Sequence, residues 1–517
     1  MNYGKRTFSS IVLLTINLLM INKAFAQQPS TTIVNFNKKG DQITKFNSIG
    51  EAIDAHDGEI AYFNGIYYLY GTSYGCGFEW GKKDAPFCGF KTYKSTDMVN
   101  WTDCGFMFDA NTPVWQSRCN GSTYGCFRPH VVFNAKTKNY VLWINVYDNR
   151  LGFRVFTSKT PVGPFVEVEQ PTLAVNNDAA VAGLNNGDHD TYVDDDGKGY
   201  IAYTDWRTKG TIVIEELTDD YLSGTGKHVK AVTNGNTEAP SLFKRGLTYY
   251  VTYSDPNCGY CSGTGTSYRT AKSPLGPWSE GIKISNNSCG GQPSFVSVFK
   301  LSSGSVYLYG SDLWNNAAKN EAQANFYWAP LTFAEDGSIN PMQCQNEVTV
   351  PVDKLVKVKK AIVKDVDNDT GIDGFTRHCD IGSKIHRTQT FTATRTGLLK
   401  ELSIATFKSG YPNAGLKIEI YNAGANNLPN GNPLVTNVVG EEHIKWSPNY
   451  TTVKPEIKLT AGKNYLILLK SDATVGCYGM MYNDLAKFKG TESYSSDGGL
   501  TFKVEEGRVL MFKAIIK

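Results

Sequence analysis

Five stretches of the chain share one pattern: an apolar-rich run reaches a turn, and an aromatic-rich run returns from it. Asp57 opens DGEIAYFNGIYYLYG, Asp188 opens DHDTYVDDDGKGYIAYTD, and Glu238 opens EAPSLFKRGLTYYVTYSD. Arg128–Trp143 and Gln292–Gly310 repeat the pattern. Short β-branched and aromatic runs bounded by Gly, Asn and Asp read as β-hairpins. Their starts lie roughly 50–70 residues apart, the length of a four-stranded propeller blade with its loops. A second repeated element follows three of the hairpins, at Ser95–Trp101, Ser158–Phe165 and Ser273–Trp278. Each reads as the turn into an outer strand. No long amphipathic helical pattern interrupts the series. The pattern predicts an all-β chain, with a five-bladed β-propeller over residues 27–350.

The character changes after Pro351. Residues 351–375 carry Lys-rich and Asp-rich stretches and read as a solvated linker. Asp365–Asp369 resembles the start of a calcium loop, but Thr370 stands where such a loop needs glycine. Residues 376–517 show short alternating strands at Gln389–Thr394, Leu416–Tyr421, Asn464–Leu469 and Val509–Ile516. They predict a β-sandwich, with Cys379 and Cys477 in place to cross-link it. No acids converge there, so this part reads as an accessory domain making no catalytic contact. Tyr411, Trp446 and Tyr478 are its candidate exposed aromatics for stacking on sugar.

Composition sharpens the picture in three ways. Charged residues are 20% of the chain and the net charge is +3, which argues against a nucleic-acid partner. Tyr (29), Phe (26) and Gly (50) are plentiful, as suits strands, tight turns and sugar stacking. Lys5 and Arg6, an apolar run from about Phe8 to Ile21, and Ala24-Phe25-Ala26 form a signal peptide, residues 1–26. The expected location is therefore secreted or periplasmic, with no membrane span. Cys76 with Cys88, Cys119 with Cys126, and the set Cys258, Cys261 and Cys289 suit disulfides in that compartment, with pairing left open. The Cys258–Cys261 pair lacks the helix that a redox CxxC needs, and no four-ligand zinc set is completed.

The chemistry rests on three carboxyls. Gly65 − Asp57 is 8, Gly197 − Asp188 is 9, and Gly246 − Glu238 is 8. Equivalent positions in a closed ring meet at one end of one axis. The second and fifth repeats hold Arg128 and Gln292 there. Such a ring suits a neutral polyhydroxyl ligand. Inverting glycoside hydrolysis needs a protonated carboxyl for the leaving oxygen and an ionised one for water, roughly 6.5–9.5 Å apart. A third acid beside the proton donor keeps its proton on. Glu59 and Asp190, two residues after Asp57 and Asp188, are rivals for those roles. Asp194, Asp195 and Asp196 read as a hairpin turn. His56, His130 and His189 are expected near the same rim.

These motifs resemble glycoside hydrolase family 43 over about 65% of the chain. The resemblance is carried by Ala55-His-Asp-Gly58, Asp188 before Val193-Asp-Asp-Asp-Gly197, and Thr237-Glu-Ala-Pro240 before Tyr249-Tyr250. It implies a five-bladed propeller and inversion, with Asp57 as general base, Glu238 as general acid, and Asp188 orienting the acid and raising its pKa. Ala55-His56, Arg128-Pro129, Asn134 with Thr137, Gln292, Asp312 with Trp314, and Tyr327-Trp328 before Pro330 resemble the exo-acting galactan-cleaving branch. Arg128, Gln292, Trp206, Asp312, Trp314 and His56 are the substrate-binding candidates. That branch commonly has Gly where this chain has Asp57, and Glu where it has Phe127. The departures favour a furanosidase or galactosidase acting on arabinogalactan-type glycans over an exo-β-1,3-galactanase. A non-catalytic glycan-binding propeller is the alternative of another class. No cofactor is required, and a structural calcium is left open. The expected partner is a polysaccharide or oligosaccharide, with oligomeric state open.

Overall fold

The computed structural model describes residues 1, 4, 28–79, 84–117, 119, 125–146, 152–175, 186–257, 263–314, 320–354, 368–369, 375–483 and 488–517. Residues 2–3 and 5–26 of the expected signal peptide, most of the linker including Asp365–Asp367 of its calcium-like segment, and Cys258–Cys261 lie outside the described residues. The chain is nearly all β. No helix among the described residues is long and apolar enough to cross a membrane.

Strand β1 (Ser30–Val34) precedes five antiparallel sheets. The first holds β2 (His56–Phe63), β3 (Ile66–Thr72), β4 (Phe90–Ser95) and β5 (Thr102–Phe106). The second holds β6 (Cys126–Asn134), β7 (Asn139–Val146), β8 (Phe153–Ser158) and β9 (Val166–Glu167). The third holds β10 (Asn186–Val193), β11 (Gly199–Asp205), β12 (Thr211–Leu217) and β13 (Gly224–Val229). The fourth holds β14 (Glu238–Arg245), β15 (Thr248–Ser254), β16 (Thr266–Ala271) and β17 (Ile282–Ser285). The fifth holds β18 (Gln292–Leu301), β19 (Gly304–Leu313) and β20 (Asn325–Pro330). Strands pair in chain order within every sheet. Strand β21 (Glu347–Pro351) returns to pair antiparallel with β1.

The period-two pattern of the second strands explains how the sheets stack. On β7, Val141 and Trp143 pack with Ile201 and Tyr203 of the third sheet, while Leu142 and Ile144 pack with Tyr68 and Tyr70 of the first. Both faces are buried, so the strand reads as an unbroken apolar run. Ala202 and Ile214 meet Leu242 and Val251 of the fourth sheet. One further core joins Phe243, Leu308 and Tyr67 of the fourth, fifth and first sheets. The sheets thus follow one another around a closed circuit. The first strands of all five line a single axial cavity of about 440 Å³, which includes Ala61, Val132, Thr191, Leu242 and Val298.

Each of these first strands carries a bulge near its start. The ladder breaks between His56 and Glu59, Phe127 and His130, Asn186 and His189, Glu238 and Ser241, and Pro293 and Phe295. A bulge bends the strand and re-aims side chains. The same break recurs near the start of the first strand in all five sheets.

The C-terminal residues form an eight-stranded and a six-stranded sheet. They include Gly397–Ser409 and Phe512–Ile516 in the first, and His386–Thr392, Leu416–Ala423 and Asn464–Ser471 in the second. Leu402, Ile404 and Phe512 share one core with Ile418, Ile420 and Ile467. Tyr478 is fully buried in that core and Trp446 is 3% exposed, so two of the three aromatics expected at the surface are interior. Only Tyr411, at 46%, is open to solvent. Cys76–Cys88 and Cys119–Cys126 are disulfides, and Cys289 pairs with Cys344. Cys477 is disulfide-bonded. The side chain of Cys379 lies outside the described residues.

Candidate active site

The bulges bring the three acids together, though at different registers. Glu238 is itself the last paired residue before its bulge, opposite Ser254. Asp57 lies one residue past His56, which pairs with Thr72. Asp188 lies two past Asn186, which pairs with Asp205. The near-equal spacing to the turn glycines therefore does not reflect a shared register. Gly197 sits in a longer turn, closed by Val193 and Gly199, than Gly65, whose turn is closed by Phe63 and Ile66. Asp57 and Arg128 occupy the same bulge position, and both have φ of 56°. This left-handed backbone is costly for a residue with a Cβ. Gly187 holds the position in the third repeat. A Cβ there would lie 2.5 Å from the Trp206 indole nitrogen and 2.9 Å from Oε1 of Glu238. Trp206 thus faces the Glu238 carboxyl across a gap that only glycine leaves.

Glu238 and Asp188 share one donor. The side-chain amide of Gln292 donates to Glu238 Oε2 at 3.2 Å and reaches Asp188 Oδ2 at 3.4 Å. Trp314 donates its indole N–H to Gln292 Oε1 at 3.0 Å, which fixes the amide's orientation. Arg128 donates from Nη2 to Asp188 Oδ2 at 2.6 Å and from Nη1 to the Pro293 carbonyl at 3.2 Å. Burial, then the neighbouring Asp188 charge, pushes the Glu238 carboxyl well above its ordinary pKa, against the pull of Arg128. A carboxyl raised well above its ordinary pKa beside an arginine-paired acid suits a proton donor.

Asp57 is buried in a different surrounding. Its Oδ1 accepts from the Thr72 hydroxyl at 2.7 Å and the Arg128 backbone N–H at 3.3 Å. Its Oδ2 accepts from the Tyr74 hydroxyl at 2.6 Å. Burial raises its pKa to about 6, held back by Arg128 and the two hydroxyls and helped by Asp312. It is ionised at neutral pH and basic enough to take a proton from water.

His56 and Asp312, expected to bind substrate, are 0% and 2% exposed and have no surface to offer it. His56 stacks on Phe326 at 5.0 Å, with Nε2 3.4 Å from Asp54 and Nδ1 3.7 Å from Asp312. Burial depresses its pKa, but the two flanking carboxylates overcome this and hold it at about 9. Asp312 accepts from the Asp57 backbone N–H at 3.1 Å and from the Ser294 hydroxyl. Both residues therefore fix the backbone under Asp57. The Arg128 side chain is also buried and committed to Asp188. His130 and His189, expected at the rim, are interior as well. Tyr74 and Asp54 are the residues the sequence reading missed. Asp54 anchors the loop after β3 by accepting from Ser73, Tyr74 N–H and Gly75 N–H.

Glu59 and Asp190 lie past the bulges, inside the axial cavity. Glu59 accepts from Val131 N–H at 2.6 Å, and Asp190 accepts from Leu242 N–H at 2.7 Å. Each ties its strand to a neighbour. With His130 they offer three ligand atoms within 4.8 Å of one another. The Asp194 turn likewise anchors the fourth sheet, accepting from Lys244 at 2.8 Å and from the Tyr249 hydroxyl.

Residues 52–285 match the family model described as glycosyl hydrolases family 43. An arabinoxylan arabinofuranohydrolase of Bacillus subtilis (strain 168) is 26% identical over 254 residues, which are 42% of this chain and 47% of that protein. One from Paenibacillus polymyxa is 30% identical over 113 residues, 21% of this chain and 17% of that protein. The chain thus spans less than half the length of either relative. An exo-β-1,3-galactanase structure from Clostridium thermocellum matches with a TM-score of 0.51 at 20% identity, over 94% of this chain and 97% of that one. That similarity shows a shared fold.

Proposed function

We propose that this chain, whose residues 52–285 match the glycosyl hydrolase family 43 model, is a secreted, inverting glycosidase of that family, built as a five-bladed propeller over residues 27–350, a linker, and a β-sandwich. Glu238 donates a proton to the leaving oxygen. Asp57 takes a proton from the attacking water on the opposite face of the sugar. Asp188, held by Arg128, keeps Glu238 protonated and oriented. The observation that carries this reading is the contrast between the two carboxyls. Glu238 is raised well above its usual range beside Asp188, while Asp57 sits at about 6 among hydrogen-bond donors. Gln292, Trp314 and Trp206 surround the acid and face the sugar. No cofactor enters the chemistry. Glu59, His130 and Asp190 are the place a structural calcium would occupy.

The substrate we propose is a terminal arabinofuranosyl, galactosyl or galactofuranosyl unit on an arabinogalactan-type or related polysaccharide. The names of the two arabinofuranohydrolase relatives support the furanosyl choice, and Asp57 supplies the base that such a reaction needs. The test is a screen of 4-nitrophenyl arabinofuranoside, galactofuranoside and galactopyranoside, alongside arabinogalactan, arabinoxylan and β-1,3-galactan. The first product anomer is read by NMR. Inversion on one of these supports the mechanism. Retention would overturn the assignment of Asp57 as base, and binding with no turnover would favour a glycan-binding protein.

A further inference from the structure

Around Glu238, the residues Asp188, Arg128 and Gln292 come from the starts of the sheets' first strands, whereas the wall behind Asp57 also draws on the C-terminal half. Tyr74, which donates to the Asp57 carboxylate, lies in one buried apolar cluster with Phe78, Phe127, Ala322 and Trp446, with Trp314 against it. Trp446 comes from the C-terminal half. The Tyr74 ring lies 5.1 Å from Phe78 and 6.0 Å from Trp314. Gly77 is pressed so closely that a Cβ there would be 2.8 Å from the Trp446 ring and 2.9 Å from the Tyr411 hydroxyl. Tyr411 in turn meets Trp446 edge-on at 4.8 Å.

The segment bearing Trp446 is held at several points. Asn320 donates to the carbonyls of Lys408 and Trp446 at 3.3 and 3.5 Å. Ala52 N–H donates to the Pro448 carbonyl at 3.1 Å. Lys445 pairs with Glu51 at 2.6 Å. The last two contacts grip the chain just ahead of β2, the strand that carries Asp57.

We propose that Trp446 is a positioning residue for the general base, acting through Tyr74, so that the C-terminal sheets complete the active site. The inference rests on the reading of Asp57 as base. Trp446 blocks the space into which the Tyr74–Gly77 loop would relax. Without it, the Tyr74 hydroxyl leaves the carboxylate. Asp57 then loses a donor that stabilises its charged form, and its pKa rises.

The experiment uses the full chain and the 4-nitrophenyl glycoside that the wild type turns over. Trp446→Ala is compared with Trp446→Phe, Tyr74→Phe and Asp57→Asn for kcat, KM, pH profile and Tm. The expected result for Trp446→Ala is a kcat loss of about tenfold or more with KM little changed. Its acidic limb should move to higher pH. Tyr74→Phe should move the limb the same way, the Trp446→Ala/Tyr74→Phe double variant no further, and Trp446→Phe should recover most of the loss. A lowered Tm with wild-type kcat and an unmoved limb would overturn the proposal and leave Trp446 a packing residue. Should Trp446→Ala not fold, Asn320→Ala loosens the same joint and carries the same expectation. Activity surviving Asp57→Asn would defeat the base assignment instead, a result distinct from failure of the Trp446 arm.

Discussion

At the scale of single residues, the proposed mechanism depends on two buried carboxyls held in opposite states. Glu238→Gln should cut turnover of natural glycosides by roughly 10²–10⁴-fold, and turnover of 4-nitrophenyl glycosides far less, because that leaving group needs little protonation. Equal losses on both substrate types, measured by steady-state kinetics, would argue against the acid role. As the proposed base, Asp57 should set the acidic limb of the pH profile. With its pKa raised to about 6, activity should fall as pH drops through that value. The same displacement has a stability sign. A carboxyl whose folded pKa lies above its unfolded value favours the unfolded state once the unfolded chain ionises. Stability should therefore decline from pH 4 to 6 and level off above. The native-state cost at neutral pH is on the order of 3 kcal/mol. Asp57→Asn should thus raise Tm at pH 7 while lowering kcat on every substrate, as calorimetry and kinetics can check.

At the scale of elements, the bulged starts of the first strands matter most. Gly187→Ala would drive a methyl into the gap between Trp206 and Glu238. A kcat loss of roughly 10²-fold with little change in Tm is expected, since small misplacements of catalytic groups are costly. A crystal structure of the variant would show Trp206 or Glu238 displaced. These strands also mark where sequence reasoning reaches its limit. The hairpins were legible because their turns carry Gly65 and Gly246 between alternating aromatic runs, and three carboxyls at the hairpin starts pointed to the site. The bulges were not legible. They have no residue signature, and Asp57, Arg128 and Ala239 adopt positive φ without being glycine. Exposure was misjudged for a related reason. His56 and Asp312 are polar residues in a motif, and only the packing of Asp54, Ser294 and Phe326 around them reveals that they are buried supports. Tyr74 stood in a loop with no pattern to single it out, and Cys344 was too far in sequence from Cys289 to suggest pairing.

At the scale of the whole molecule, the proposed role of Trp446 would give the C-terminal part a share in the active site. The reading from sequence expected the C-terminal sheets to make no catalytic contact, because the hairpin repeats finish before them. Apolar periodicity cannot distinguish Trp446 packed within its own sheets from Trp446 packed against Tyr74 and Phe78. Truncation after Val350 would expose that cluster to water. The expected outcome is loss of hydrolysis of even a small chromogenic glycoside. Circular dichroism would show the remaining strands intact. Full activity in a folded truncation would show the contact to be dispensable.

The wedge formed by Lys445–Pro448 also bears on inheritance. Residues that must fit one another cannot drift independently. Gly77 has room for nothing larger beside Trp446 and Tyr411, and its φ of 103° favours glycine in its own right. Among close relatives that keep both halves, positions 74–78 and 445–448 should therefore vary as a set. Where a relative has lost the second half, the loop after β3 should have been rewritten. A donor tail grafted from another protein would fail unless those few loop residues travelled with it.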